Sequence, residues 1–221
     1  MEFIINRDIF LKSIGHASGI VEKKTTLPIL SNILIEAKNS KIKITATDLD
    51  IIYSEEIAVK SLIKEGTTTT SASILYDILR KLESNSDVKL SLQSSNKLNL
   101  ISGNSKFNLL CLSADNFPLS DEDIKQKPFE VPSQKLLNLL NKTKISISND
   151  ETRHYLNGIY LHKMNLENKS FLYGIATDSH RLSSSRLEID QNTDFEKIIL
   201  PKKTIFQLIS LIEQSTNNIK I

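Results

Sequence analysis

Tryptophan is absent from this 221-residue chain, cysteine occurs once, and there are only six glycines and five prolines. So little glycine and proline leaves no room for a long disordered tract. The lone Cys111 rules out a disulfide within the sequence and lies in the apolar run FNLLCL, where a buried, inert thiol is expected. No apolar run approaches the length of a membrane span, and MEFIINRD lacks a signal-peptide core, so a cytoplasmic location is expected. A glycine-rich phosphate loop, a nucleophile elbow and paired-cysteine metal spacing are all missing. Aromatic residues make up 6% of the chain and most phenylalanines fall in apolar strand positions, which argues against a single-stranded nucleic-acid binder built on stacking platforms.

What the chain does contain, it contains twice. Leu30 to Tyr53 reappears in outline from Leu156 onward, with Ala46-Thr47-Asp48 answered by Ala176-Thr177-Asp178. Phe3, Ile5 and Asp8 correspond to Phe129, Val131 and Gln134, an offset of 126, while Ile74 and Val88 correspond to Ile205 and Ile219, an offset of 131. Loop insertions explain such drift, so the reading is two copies of one domain, 1–127 and 128–221. The second copy is expected to be incomplete, with no counterpart of residues 91–127. The acidic stretch 114–127, with Pro118 and neither period, reads as the connector.

Helical periodicity marks Arg7 to Ala17, Ser73 to Glu83, Ser133 to Lys142 and Lys202 to Gln214. Ile74, Ile78, Leu82, Ile205, Ile209 and Ile212 are expected to face the sheets. Between the helices the period is two, as in Ile33 and Ile35, Ile42 and Ile44, Val88, Leu90 and Leu92, and Phe107 with Leu109. This segregation predicts an α+β fold, with two helices per copy packed on antiparallel sheet. Net charge is only +2, yet the helices carry Arg7, Lys12, Arg80, Lys81, Lys135, Lys142, Lys202 and Lys203 against Asp8, Asp77, Glu83 and Glu213, a surplus of +4. From charge alone, so modest an excess reads first as a solvated polar face. His16, ending the first helix, reads as polar surface.

Asp178, Ser179 and His180 are adjacent, so their side chains diverge and no triad can be read from them. An enzyme of phosphoester chemistry using Asp178 and His180 remains an alternative. His154, His162 and His180 fit no metal-ligand spacing, and neither a metal nor a cofactor is expected. In both copies the Thr-Asp turn is open to two readings, an ordinary Asp-stabilised turn or a binding surface.

Thr26 to Leu30 (TLPIL), Ala46 to Asp50 (ATDLD), Asn116 to Pro118 (NFP), Arg153 to Gly158 (RHYLNG) and Ala176 to Leu182 (ATDSHRL), in order along the whole chain, resemble the bacterial sliding clamp family, the beta subunit of DNA polymerase III. The resemblance implies a non-catalytic processivity factor of three similar domains, two subunits closing head to tail into a ring around duplex DNA. Helices line the hole and polymerase, clamp-loader subunits and other partners dock by short peptide motifs. On that basis the partner pocket comprises Leu156, Thr177, Ser179, His180, Arg181 and Leu182 beside Arg153, with Ser179 replacing the family's usual glycine. DNA contacts fall to Lys24, Lys23, His154 and Tyr155 and to the helix cations Arg7, Lys12, Arg80, Lys142, Lys202 and Lys203. Ser73 and Asp150 stand where the family has a basic residue and a glutamine, which weakens DNA contact there. Lys106, Phe107 and Leu109 match the edge of the dimer interface. With a third domain missing, the 221 residues alone are expected to aggregate or to lack clamp activity, whereas the longer protein is expected to be a dimer retained on circular DNA.

Overall fold

Asn6 converts strand to helix. Its side chain accepts from the backbone N–H groups of Asp8 (2.9 Å) and Ile9 (3.3 Å), an N-cap that ends β1 (Glu2–Asn6) and opens α1 (Arg7–Ile20). The computed structural model describes residues 1–22, 26–94, 96–119, 127–150, 152–213 and 217–221. The chain divides into two compact units, Met1–Asp121 and Glu122–Ile221. Residues 120–126 of the expected connector lie outside the described residues.

The first unit continues through β2 (Asn32–Lys38), β3 (Lys41–Thr47), β4 (Ile52–Ala58), β5 (Ser61–Lys64), β6 (Gly66–Ser71), α2 (Ala72–Lys81), β7 (Asp87–Ser94), β8 (Lys97–Ser102) and β9 (Ser105–Leu110). Two antiparallel sheets result, in the orders β5-β1-β7-β8-β9 and β4-β3-β2-β6. Their inward rows, among them Phe3, Ile5, Ile33, Ile35, Ile42, Ile44, Leu90 and Leu100, form one core with Phe10 and Ile14 of α1 and Leu75 and Leu79 of α2. The two helices lie close. A Cβ on Gly15 would meet the Tyr76 ring at 3.3 Å.

The second unit runs β10 (Glu130–Pro132), α3 (Ser133–Thr143), β11 (Gly158–Leu166), β12 (Lys169–Thr177), β13 (Leu182–Ile189), β14 (Ile198–Pro201), α4 (Lys202–Ile212) and β15 (Asn218–Lys220). Its antiparallel sheets are β13-β12-β11-β14 and the two-stranded β10-β15. Both helices start directly after a proline, Pro132 and Pro201, which cannot donate to the preceding ladder but has the φ a helix entry needs. Gly158 is required where it sits, because a Cβ there would lie 2.2 Å from the Leu200 carbonyl oxygen across the β11–β14 pairing. Ile205, Ile209 and Ile212 are buried, as their spacing predicts. A hollow of about 460 Å³, lined by Leu136, Leu140, Phe195, Leu208, Ile219 and Ile221, opens between α3, α4 and β15.

The architecture is α+β, but several side chains do not lie where the sequence pattern placed them. Ile74 is 54% exposed, while Ala72, Leu75 and Leu79 form the buried line of α2. At ~100° per residue Ile74 falls ~130° from the centre of that line, beyond the width of the apolar stripe. Arg7, expected to face DNA, is buried: its Nε donates to the Leu79 carbonyl at 2.6 Å, Nη2 to the Arg80 carbonyl at 2.9 Å and Nη1 to Asp8 at 2.7 Å. The guanidinium thereby satisfies open carbonyls at the C-terminus of α2, where a cation also meets the negative end of the helix dipole. His16 is half-buried, with its ring edge-on to Tyr53 at 6.2 Å and Nδ1 3.4 Å from the Tyr53 hydroxyl. Cys111 is buried, and burial pushes its thiol pKa up.

Candidate partner-binding and nucleic-acid surfaces

Between β12 and β13 the chain reverses through Asp178 to Arg181, and hydrogen bonds to two side chains fix the turn. Asp178 Oδ1 accepts from the His180 and Arg181 backbone N–H groups, each at 3.0 Å, and Oδ2 accepts from Arg181 Nε at 3.0 Å. Thr177 Oγ1 donates to the Arg181 carbonyl at 2.7 Å and accepts from the Ser179 N–H at 3.2 Å. Ser179 takes a left-handed φ of 79°. The first unit repeats the device: Asp48 Oδ1 accepts from Asp50 N–H (3.1 Å) and Ile51 N–H (2.8 Å), Thr47 Oγ1 accepts from Leu49 N–H (3.0 Å), and Leu49 has φ 81°. Only in the second unit does the turn bear His180 and Arg181, both exposed, with Leu182 beside them 65% exposed.

A second segment meets this turn. Arg153 reaches it through Nη1, which donates to Ser179 Oγ at 2.9 Å, while its Nε donates to Asp150 Oδ2 at 2.8 Å. The Leu156 carbonyl accepts from Ser148 N–H at 3.0 Å, which anchors the 3-10 turn His154–Leu156. Arg153 and Leu156 thus belong to a segment tied directly to Ser179. Ser183 turns inward and shares a 2.6 Å hydrogen bond with Ser146, so its neighbour Leu182 and the paired Thr177 lie on the outer face of the sheet.

The carboxylates here are structural. Backbone N–H groups of Arg181 and His180, then the Arg181 side chain, hold the Asp178 carboxyl below the usual carboxylate range. Hydrogen bonds from Thr152, then Arg153, do the same for Asp150. Three donors, all from the turn itself, hold the Asp178 carboxylate in place. Among the described residues no three metal-ligating side chains gather. His162 is instead stacked between Tyr160 and Tyr173.

The cations proposed for DNA contact are unevenly placed. Lys12, Arg80 and Lys142 are exposed, and Arg80 pairs with Asp77 at 3.6 Å. Lys202 and Lys203 are half-buried, and the Lys202 ammonium is bonded to Asn149. Ser73 is exposed within reach of the Ser71 hydroxyl at 3.3 Å. His154 is exposed and Tyr155 is 67% exposed. Lys23 and Lys24 lie outside the described residues. Removing Arg7 from the exposed set leaves the helix surplus at +4, because its partner Asp8 goes with it.

On β9, the last strand of its sheet, Lys106 is exposed, whereas Phe107 and Leu109 both turn to the core. Residues two apart share a face, so the apolar side chain presented outward is Leu110, 78% exposed. FNLLCL contains that signal. Phe107 and Leu109 set its phase.

Comparison with known proteins agrees with this geometry. The DNA polymerase III beta subunit N-terminal domain matches residues 1–121 and the central domain of the same subunit matches residues 130–221. Beta sliding clamps of Caulobacter vibrioides and Buchnera aphidicola are 35% and 34% identical over 223 and 221 residues, covering 100% of this chain and 60% and 59% of theirs. A Caulobacter crescentus beta sliding clamp structure superposes with a TM-score of 0.95 at 36% identity, and a Bartonella birtlesii sliding clamp bound to griselimycin with 0.94 at 37%; each covers 100% of this chain and 59% of that one. The chain therefore spans about three-fifths of the length of these relatives. Two family domains matched in order, with the duplicated Thr-Asp turn at the same place in each, show that this chain belongs to the DNA polymerase III beta subunit family.

Proposed function

We propose that the chain carries two domains of a sliding clamp, a non-catalytic ring around duplex DNA that tethers the replicative polymerase and other partners. Leu182 supports this reading most: an aliphatic side chain 65% exposed beside His180 and Arg181, on a turn whose hydrogen bonds fix its position. A rigid turn that leaves leucine in water is suited to receive an apolar peptide anchor. Thr177, Leu156, Ser179 and Arg153 complete this half of the pocket.

In the same reading Lys12, Arg80, Lys142, Lys202, Lys203, His154 and Tyr155 face duplex DNA. Arg80 and Lys202 are engaged by Asp77 and Asn149, and so modest a cationic surplus suits sequence-independent, mobile contact with phosphates better than tight binding. The free edge of β9, with Lys106 and Leu110 outward, is the surface proposed to meet the next subunit. The polymerase gains a higher effective concentration at the primer end, and no bond is made or broken by the clamp. Primer extension by the replicative polymerase tests the reading. Longer products per binding event are expected when this chain is followed by a third clamp domain, and unchanged product lengths with that longer polypeptide would refute it.

A further inference from the structure

The outer face of the second unit carries an aromatic row that its duplicate lacks. Across β11, β12 and β13, His162 pairs with Tyr173 and Tyr173 with Arg186. Across the matching strands of the first unit, Glu36 pairs with Lys43 and Lys43 with Glu56. A row of alternating charge satisfies itself in water, so the fold does not require rings at these positions. The second unit has them nonetheless, and Tyr160 extends the row where the first unit has Leu34.

The rings stack on one another. Tyr160 and His162 lie 4.9 Å apart at 20°, and His162 and Tyr173 5.6 Å apart at 25°. Arg186 closes the row, with its Cζ 4.6 Å from the Phe171 centroid and Nη1 donating to the Tyr173 hydroxyl at 2.8 Å. Among the described residues Arg186 has no carboxylate partner, whereas the adjacent Lys169 and Glu188 neutralise each other at 3.1 Å. The row therefore presents one held, unneutralised guanidinium. It also adjoins the proposed pocket on the same face. Thr177 pairs with Leu182 four residues along the strands from the Tyr173–Arg186 pair, a distance of ~13 Å that about four extended residues span.

We propose that Arg186, braced by Tyr173 and Phe171, is a second contact for partner polypeptides, receiving a carboxylate four to five residues from the motif seated in the pocket. The inference rests on the pocket reading given above. A polypeptide is favoured over single-stranded nucleic acid because the ring faces are occupied by each other and by Arg186, leaving few for a base, and one free cation offers little to a run of phosphates.

The test uses a polypeptide in which this chain is followed by a third clamp domain, and a short synthetic peptide with aliphatic and aromatic anchors, compared with versions extended by five residues at either end, rich in glutamate or in glutamine. The glutamate extension at one end is expected to tighten binding about five- to ten-fold over its glutamine counterpart. Arg186→Gln and Arg186→Glu should abolish that gain while the unextended peptide binds as before. Glu56 at the matched site of the first unit shows that the fold accepts a carboxylate there. Equal affinity of glutamate and glutamine extensions, or a gain that survives both substitutions, would overturn this inference and leave the pocket standing. Failure of every peptide to bind would overturn the pocket and this inference with it. Arg186-dependent binding of an oligothymidylate instead of the peptide would overturn the polypeptide assignment.

Discussion

Leu49 and Ser179 hold the same left-handed backbone, φ 81° and 79°, at the same place in two turns that share no side chain at that position. For an L-residue this conformation costs ~1–2 kcal/mol, and in each turn the flanking Thr and Asp hydrogen bonds impose it. Leu49→Gly should therefore stabilise the first unit by about 0.5–1 kcal/mol after the entropy glycine regains on unfolding. Ser179→Gly should gain less, because it also deletes the 2.9 Å bond from Arg153. Urea denaturation of the two variants checks the order, and a larger gain for Ser179→Gly would contradict it.

Arg7 and Lys12 occupy one helix but serve different ends. Replacing Arg7 by Met removes two hydrogen bonds to the α2 carbonyls and should cost about 2–4 kcal/mol of stability. Lys12→Ala should change stability by less than ~0.5 kcal/mol and act only on DNA affinity. Thermal melts alongside DNA binding at two salt concentrations separate the effects.

The Asp178 carboxyl is held below its ordinary pKa by hydrogen bonds that exist only in the folded turn. Its contribution is complete above the unfolded value of ~3.9 and is lost as pH falls through the lower folded value. The turn, and peptide binding with it, should be insensitive to Asp178 between about pH 5 and 8. In a titration followed by NMR, the Arg181 amide resonance should show an inflection below pH ~4, and Asp178→Asn should remove it.

If Leu156 and Leu182 anchor partners, their double replacement by Ala should weaken peptide binding ten-fold or more, at ~1–3 kcal/mol per anchor. Leu182 is 65% exposed and Leu156 half-buried, so any loss of folding stability should come from Leu156. Calorimetric titration beside a melt measures both, and undiminished affinity in a folded variant would remove these residues from the pocket.

Legibility in the sequence followed the physics of each feature. The Thr-Asp turns could be read because residues three positions apart close them, and the α4 stripe because three isoleucines repeat at helical spacing. Arg7 could not, since its partners are carbonyls of Leu79 and Arg80, more than seventy positions away. The aromatic row was equally hidden: His162, Tyr173 and Arg186 come together only once strand register is known. For Ile74 and Leu110 the periodicity was visible, but not the phase that decides which side meets the core.

Retention on DNA tests the central claim most directly. A polypeptide in which this chain is followed by a third clamp domain is loaded onto a nicked circular duplex, freed of unbound material, and followed before and after the circle is cut. A topological clamp stays on the circle and leaves from the ends once the DNA is linear, with little dependence on sequence. Equal lifetimes on circular and linear DNA would contradict the ring account.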